Sequence, residues 1–93
     1  MNRSDFILEM QNTFAEVEQL FKNKNTSYGE QDNVHYNFEQ SAKRLGLTPA
    51  QVLMCLVDKH MIALSKELLE GKESKERMKD IIAYMVIMLT MKE

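Results

Sequence analysis

The sequence predicts a small all-α domain of four helices, and three observations carry that reading. The three glycines, Gly29, Gly46 and Gly71, and the single proline, Pro49, stand between or at the start of periodic segments, which is how helices are punctuated. Within those segments the apolar residues recur close to every 3.6 positions. No segment sustains the period-two alternation of a half-buried strand. The chain has 93 residues, a single domain over 1–93. At this length folding buries only about 60–65% of the unfolded surface, so the core is marginal.

The first helix is expected over about 5–23. Phe6, Ile7, Met10, Phe14, Val17, Leu20 and Phe21 make its apolar set. Asn2 or Ser4 can cap it by accepting a free backbone N–H. It runs into Asn23-Lys24-Asn25-Thr26-Ser27-Tyr28-Gly29, a stretch rich in turn formers. The second helix is expected over about 33–45, with Asp32 as cap and Val34, Phe38, Ala42 and Leu45 as its buried stripe. Gly46 then suits the left-handed position beyond a helix, with Leu47 folding back as its apolar contact. In Thr48-Pro49-Ala50-Gln51, Thr48 and Gln51 form a capping box and Pro49 takes the first helical position. This third helix continues to about residue 70 and stops at Gly71. The fourth starts near Ser74, a possible cap, and runs to the end of the chain. The short connection around Gly71 makes the last two helices an antiparallel hairpin.

The polarity of this hairpin is informative. From Val52 to Leu64 the charged or polar interruptions are Asp58, Lys59 and His60, and from Ile81 to Met91 only Thr90 and the Tyr84 hydroxyl are polar. A helix apolar on all faces must be covered on all faces, and four short helices cannot cover both. Self-association with closed symmetry is the economical expectation. A groove for another protein's helix is the alternative. Met78, Met85, Met88 and Met91 suit either use, because thioether chains fill irregular gaps. Cys55, the only cysteine, lies inside the apolar run and reads as core filler in a reducing compartment.

Other classes recede. The formal charge of −2 lacks the basic footprint of a duplex nucleic-acid binder. No apolar stretch reaches transmembrane length. The start of the chain lacks the charged and apolar blocks of a signal peptide, so the expected setting is the cytoplasm, away from membranes. No phosphate loop, dinucleotide fingerprint, nucleophile elbow or Cys/His cluster is present.

Three groups of polar residues ask for a role. Lys59 lies in a stretch expected to be buried, where an ammonium needs a carboxylate, a phosphate or an escape to water. Asp80 is its natural partner across the hairpin. Glu76 and Asp80 are four apart and share a helix face. Such a pair can hold Mg²⁺ while water and phosphate oxygens complete the octahedron. With Glu67, Glu70, Glu73 and the interleaved Lys66, Lys72, Lys75, Arg77 and Lys79, a solvated mixed-charge face is the default reading. Finally, the run from Tyr28 to Phe38 gathers Asn33, His35, Tyr36 and Asn37. Rings and amides in this density can stack a base and read its edge, or simply form a capped turn.

Taken in order, Ser27-Tyr28-Gly29, Asp32-Asn33, Phe38, Ala42, Leu45-Gly46-Leu47-Thr48-Pro49, Lys59, Asp80 and Tyr84 resemble a known pattern. It is that of the short phage-associated nucleotide-modification domains related to the all-α, MazG-like nucleoside triphosphate pyrophosphohydrolases. The resemblance spans residues 25–89. It implies a MazG-like four-helix bundle that oligomerises and binds a nucleotide, with Mg²⁺ between carboxylates and phosphates in active members. Residue by residue, Tyr28, Asn33, Lys59, Asp80 and Tyr84 match. The enzymes also carry a Glu-x-x-Glu pair and then a Glu-x-x-Asp pair. Glu67 and Glu70 keep the first spacing, whereas Glu76 and Asp80 are one residue too far apart for the second. Ile62 and Ala63 stand where an arginine is common. The resemblance implies Mg²⁺-dependent hydrolysis of (deoxy)nucleoside triphosphates, with Glu76, Asp80 and Lys59 catalytic. It equally allows an oligomeric sponge that sequesters a nucleotide or cyclic nucleotide signal in counter-defence. A helical module that inhibits a host protein is the third expectation.

Overall fold

The structure, a computed structural model, describes residues 1–24 and 33–91. The described residues form four helices and no strand. They are α1 (Arg3–Lys24), α2 (Tyr36–Leu45), α3 (Pro49–Leu69) and α4 (Lys75–Leu89). The expected all-α class is therefore observed. The packing is serial: α2 lies on α3, α3 on α4, and α4 on α1.

Local chemistry sets most of the helix ends. Of the two candidate caps of α1, Asn2 serves, its Oδ1 accepting the Asp5 N–H at 2.8 Å. The capping box of α3 is complete. Thr48 Oγ1 accepts from the Gln51 N–H at 3.1 Å, and Gln51 Oε1 accepts from the Thr48 N–H at 2.9 Å. Beyond α2, Gly46 takes φ +70°, and its own N–H and that of Leu47 both reach the Ala42 carbonyl. Beyond α3, Gly71 takes φ +71°, and the Lys72 N–H closes on the Glu67 carbonyl at 2.9 Å. A residue with a Cβ is disfavoured in this left-handed region, which is why glycine stands at both stops.

Two starts differ from expectation. Helix α2 begins at Tyr36, three residues later than the pattern suggests. Asn33 is the reason: its Oδ1 accepts the His35 N–H at 3.0 Å, a local turn that competes with helix. Asp32, the expected cap, and Tyr28 lie outside the described residues. Ser74 precedes α4 without capping it. Its hydroxyl donates to the Lys72 carbonyl, and Glu73 Oε1 accepts the Lys75 N–H at 2.8 Å instead.

The core is small. Among the described residues, Val17, Phe38, Ala42, Leu53 and Val57 are its buried apolar side chains, and of these only Leu53 and Val57 are almost wholly enclosed. Serial packing explains this, since each terminal helix of the series has one neighbour and buries one narrow stripe. On α2 that stripe is Phe38 and Ala42, while Val34 and Leu45, expected with them, stand exposed. On α3, Leu53 and Val57 are enclosed, but Cys55 is exposed rather than core filler. Met54, Leu56, Met61 and Ile62 share that exposure, and α4 has no buried residue at all.

Candidate functional site

Two clefts line one side of α4. Glu76 and Asp80 open on the first, and Ala83, Ile87 and Thr90 on the second. Steps of four and three residues keep all five on one face, so a single stripe turns from charged to apolar. The fourteen steps from Glu76 to Thr90 make it about 21 Å long at about 1.5 Å each.

The charged cleft has a volume of about 410 Å³. Glu67, Lys72, Glu73, Glu76, Arg77 and Asp80 line it. Arg77 organises its floor. Its Nε donates to Glu67 Oε1 at 2.6 Å, and its Nη1 lies 3.1 Å from His60 Nδ1. A guanidinium only donates, so Nδ1 accepts and the imidazole proton sits on Nε2. The His60 ring also tilts against Tyr84, at 5.2 Å between centroids and 43° between planes. At the rim, Lys79 bridges helices, with Nζ 2.7 Å from Glu16 Oε2 on α1 and 3.2 Å from Glu76 Oε1. The hydrogen bond to Glu16, and then that to Glu76, hold its ammonium above the usual lysine range.

The apolar cleft is larger, about 520 Å³. Phe14, Val17 and Phe21 of α1 face Ala83, Val86 and Ile87 of α4 across it. Its polar rim comes from Glu18, Asn33, His35 and Thr90. The Thr90 hydroxyl donates to the Ile87 carbonyl at 2.6 Å, so at 2.8 Å its oxygen accepts from His35 Nε2. That contact clasps the segment before α2 to the end of α4. Asn33 Nδ2 reaches toward both carboxylate oxygens of Glu39, at 3.4 and 3.5 Å.

The expected site residues divide accordingly. Glu76 and Asp80 come together on the charged cleft, joined by Glu67 and Glu73. Asn33 and His35 come together on the apolar cleft. Tyr84 packs on His60 between the helices. Tyr36 and Asn37 are exposed on the first turn of α2 and line neither cleft. Lys59 is exposed on α3 and lines neither cleft, so its ammonium escapes to water. Among the described residues no three His, Cys, Asp or Glu side chains converge as a metal cage. Also among them, no single helix is long and apolar enough to cross a membrane.

Sequence reasoning gave no role to Arg77 beyond the mixed-charge face, or to His60 beyond a polar interruption of the third helix. The signal was present in the hairpin. Glu67 and Arg77, and likewise His60 and Tyr84, are equidistant from position 72, next to the Gly71 turn. Compared with protein-family models, with curated proteins and with solved structures, the chain matches none.

Proposed function

We propose that this chain binds a nucleotide along α4, with the phosphates at the charged cleft and the base at the apolar one. The observation that carries this reading is the single α4 stripe, which passes from Glu76 and Asp80 to Ala83, Ile87 and Thr90. A nucleotide is itself charged at one end and flat and apolar at the other. Lys72 and Arg77 supply cationic groups for phosphate oxygens. Phe14 and Phe21 supply ring faces for stacking, and Asn33 and His35 supply amide and imidazole groups for a base edge. Self-association of MazG-like bundles, each with α3 and α4 antiparallel, belongs to the same reading. So does a cytoplasmic setting, that of the host if the chain is phage-encoded.

Glu67, Glu73, Glu76 and Asp80 give the charged cleft the carboxylate oxygens that suit Mg²⁺, beside the cationic Lys72 and Arg77. Glu76 and Asp80 are the residues that would hold the ion. When bound it would neutralise phosphate charge and polarise a phosphoryl oxygen. Around it, Arg77 positions Glu67, and Lys79 sets where the Glu76 carboxylate rests.

Binding without turnover is the second reading, and one observation favours it. Glu67 and Glu76 are already engaged by Arg77 and Lys79, which leaves few carboxylates to direct a water. The test is a thermal-shift panel of ribo- and deoxynucleoside triphosphates and cyclic nucleotides, with and without Mg²⁺, followed by analysis of the recovered ligand. A rise in Tm that Asp80→Ala abolishes is expected, because a ligand of the folded state stabilises it by mass action. Pyrophosphate release would identify hydrolysis, and an intact ligand would identify sequestration. No shift with any nucleotide at millimolar concentration would end the nucleotide reading.

A further inference from the structure

The surface is too large for a compact single chain. By the usual size scaling a monomer of 10.9 kDa exposes about 5,600 Å², whereas this chain exposes 7358 Å². Its radius of gyration is 15.2 Å, against about 12–13 Å for a compact domain of this length. The excess surface, about 1,800 Å², exceeds the roughly 800 Å² that each partner contributes to a standard protein interface.

Helix α1 accounts for a definable part of this. It has 22 residues and α4, the helix it packs on, has 15. At 1.5 Å per residue these are about 33 and 22 Å long, so α4 is too short to cover its neighbour. The consequence is visible along one stripe. From Val17 onward it is at least partly covered, with Val17 buried and Leu20 and Phe21 half-buried, while every residue in positions 1–12 is exposed. Yet the stripe continues through that bare half as Phe6, Ile7 and Met10, which are 53%, 47% and 41% exposed, and Phe14 at its edge is 51% exposed. Bare rings at helical spacing need a cover.

We infer that the N-terminal half of α1 is an interface with a second copy of this chain. The bare stripe is continuous with the α1–α4 seam, so a second copy would extend a packing surface that the fold already uses. Closed two-fold symmetry sets the same patch of each copy against the other, and the surface that the whole chain leaves uncovered exceeds what one copy contributes to such a contact. Phe14 belongs to both the bare stripe and the apolar cleft. The second copy therefore walls the open end of that cleft. This inference deepens the self-association named above and stands independently of nucleotide binding.

Light scattering on the intact chain at tens of micromolar, paired with hydrogen exchange at high and low concentration, tests it. The expected mass is an even multiple of 10.9 kDa. Amides of residues 3–12 should exchange at least about tenfold more slowly when concentrated than when dilute. The double substitution Phe6→Asp with Met10→Asp should at least halve the mass and keep the helical circular dichroism. If that variant loses its helicity, exchange in the unaltered chain alone decides. An oligomer whose arm amides exchange equally fast at both concentrations would overturn the interface and leave self-association through another face. A single-chain mass would overturn both and open the arm to a foreign helix. Neither failure bears on the thermal-shift result with nucleotides.

Discussion

Helices α1 and α3 are nearly the same length, 22 and 21 residues, and they hold the molecule together very differently. Helix α3 lies between α2 and α4, encloses Leu53 and Val57, and is tied to α4 by the Glu67–Arg77–His60 network. Among the described helices α1 packs on α4 alone, buries Val17, and is tied by the Lys79–Glu16 ion pair. A helix with two neighbours supports a fold. A helix with one neighbour and a bare apolar half is the part free to meet another chain.

The contrast can be broken most forcefully at Leu53. Leu53→Ala removes a side chain with no exposure and should cost about 2–5 kcal/mol, the range for a leucine cavity. That is a large part of the roughly 5–14 kcal/mol that a domain of this length has in all. Urea unfolding followed by circular dichroism should show it, and a loss below about 1 kcal/mol would mean that α3 is not the keystone.

Arg77→Met should have a smaller effect, about 1 kcal/mol, because the Glu67 pair is partly solvated. Its sharper signature lies on His60. With the donor on Nδ1 gone, the imidazole nitrogens lose their fixed tautomer, which nitrogen-15 shifts of the ring would report. An unchanged tautomer would separate His60 from the network.

The smallest effect belongs to Lys79→Ala, and it should fall on α1 alone. Lys79 has its proton affinity raised by Glu16 and then by Glu76. Its contribution is therefore complete below the unfolded lysine value, about 10.4, and disappears as pH rises through the higher folded value. Stability of the unaltered and substituted chains should differ at neutral pH and converge in strong alkali. Hydrogen exchange should assign the difference to residues 13–24. A difference that persists above the lysine range would show that the ion pair is not what holds α1.

The sequence by itself determined the elements. Gly46, Gly71, Thr48, Pro49 and Gln51 act through backbone geometry and hydrogen bonds within a few residues, so their roles are legible without a fold. Glu76 and Asp80 were legible together for the same reason, since four residues on one helix define a shared face. Only the tertiary structure decided which residues meet at long range. Arg77 reached His60, Lys59 turned to water, and the charged and apolar clefts fell on one stripe of α4. It also decided how much apolar surface stays bare. Burial depends on how many neighbours a helix has, and periodicity can say which face wants covering but not whether anything covers it.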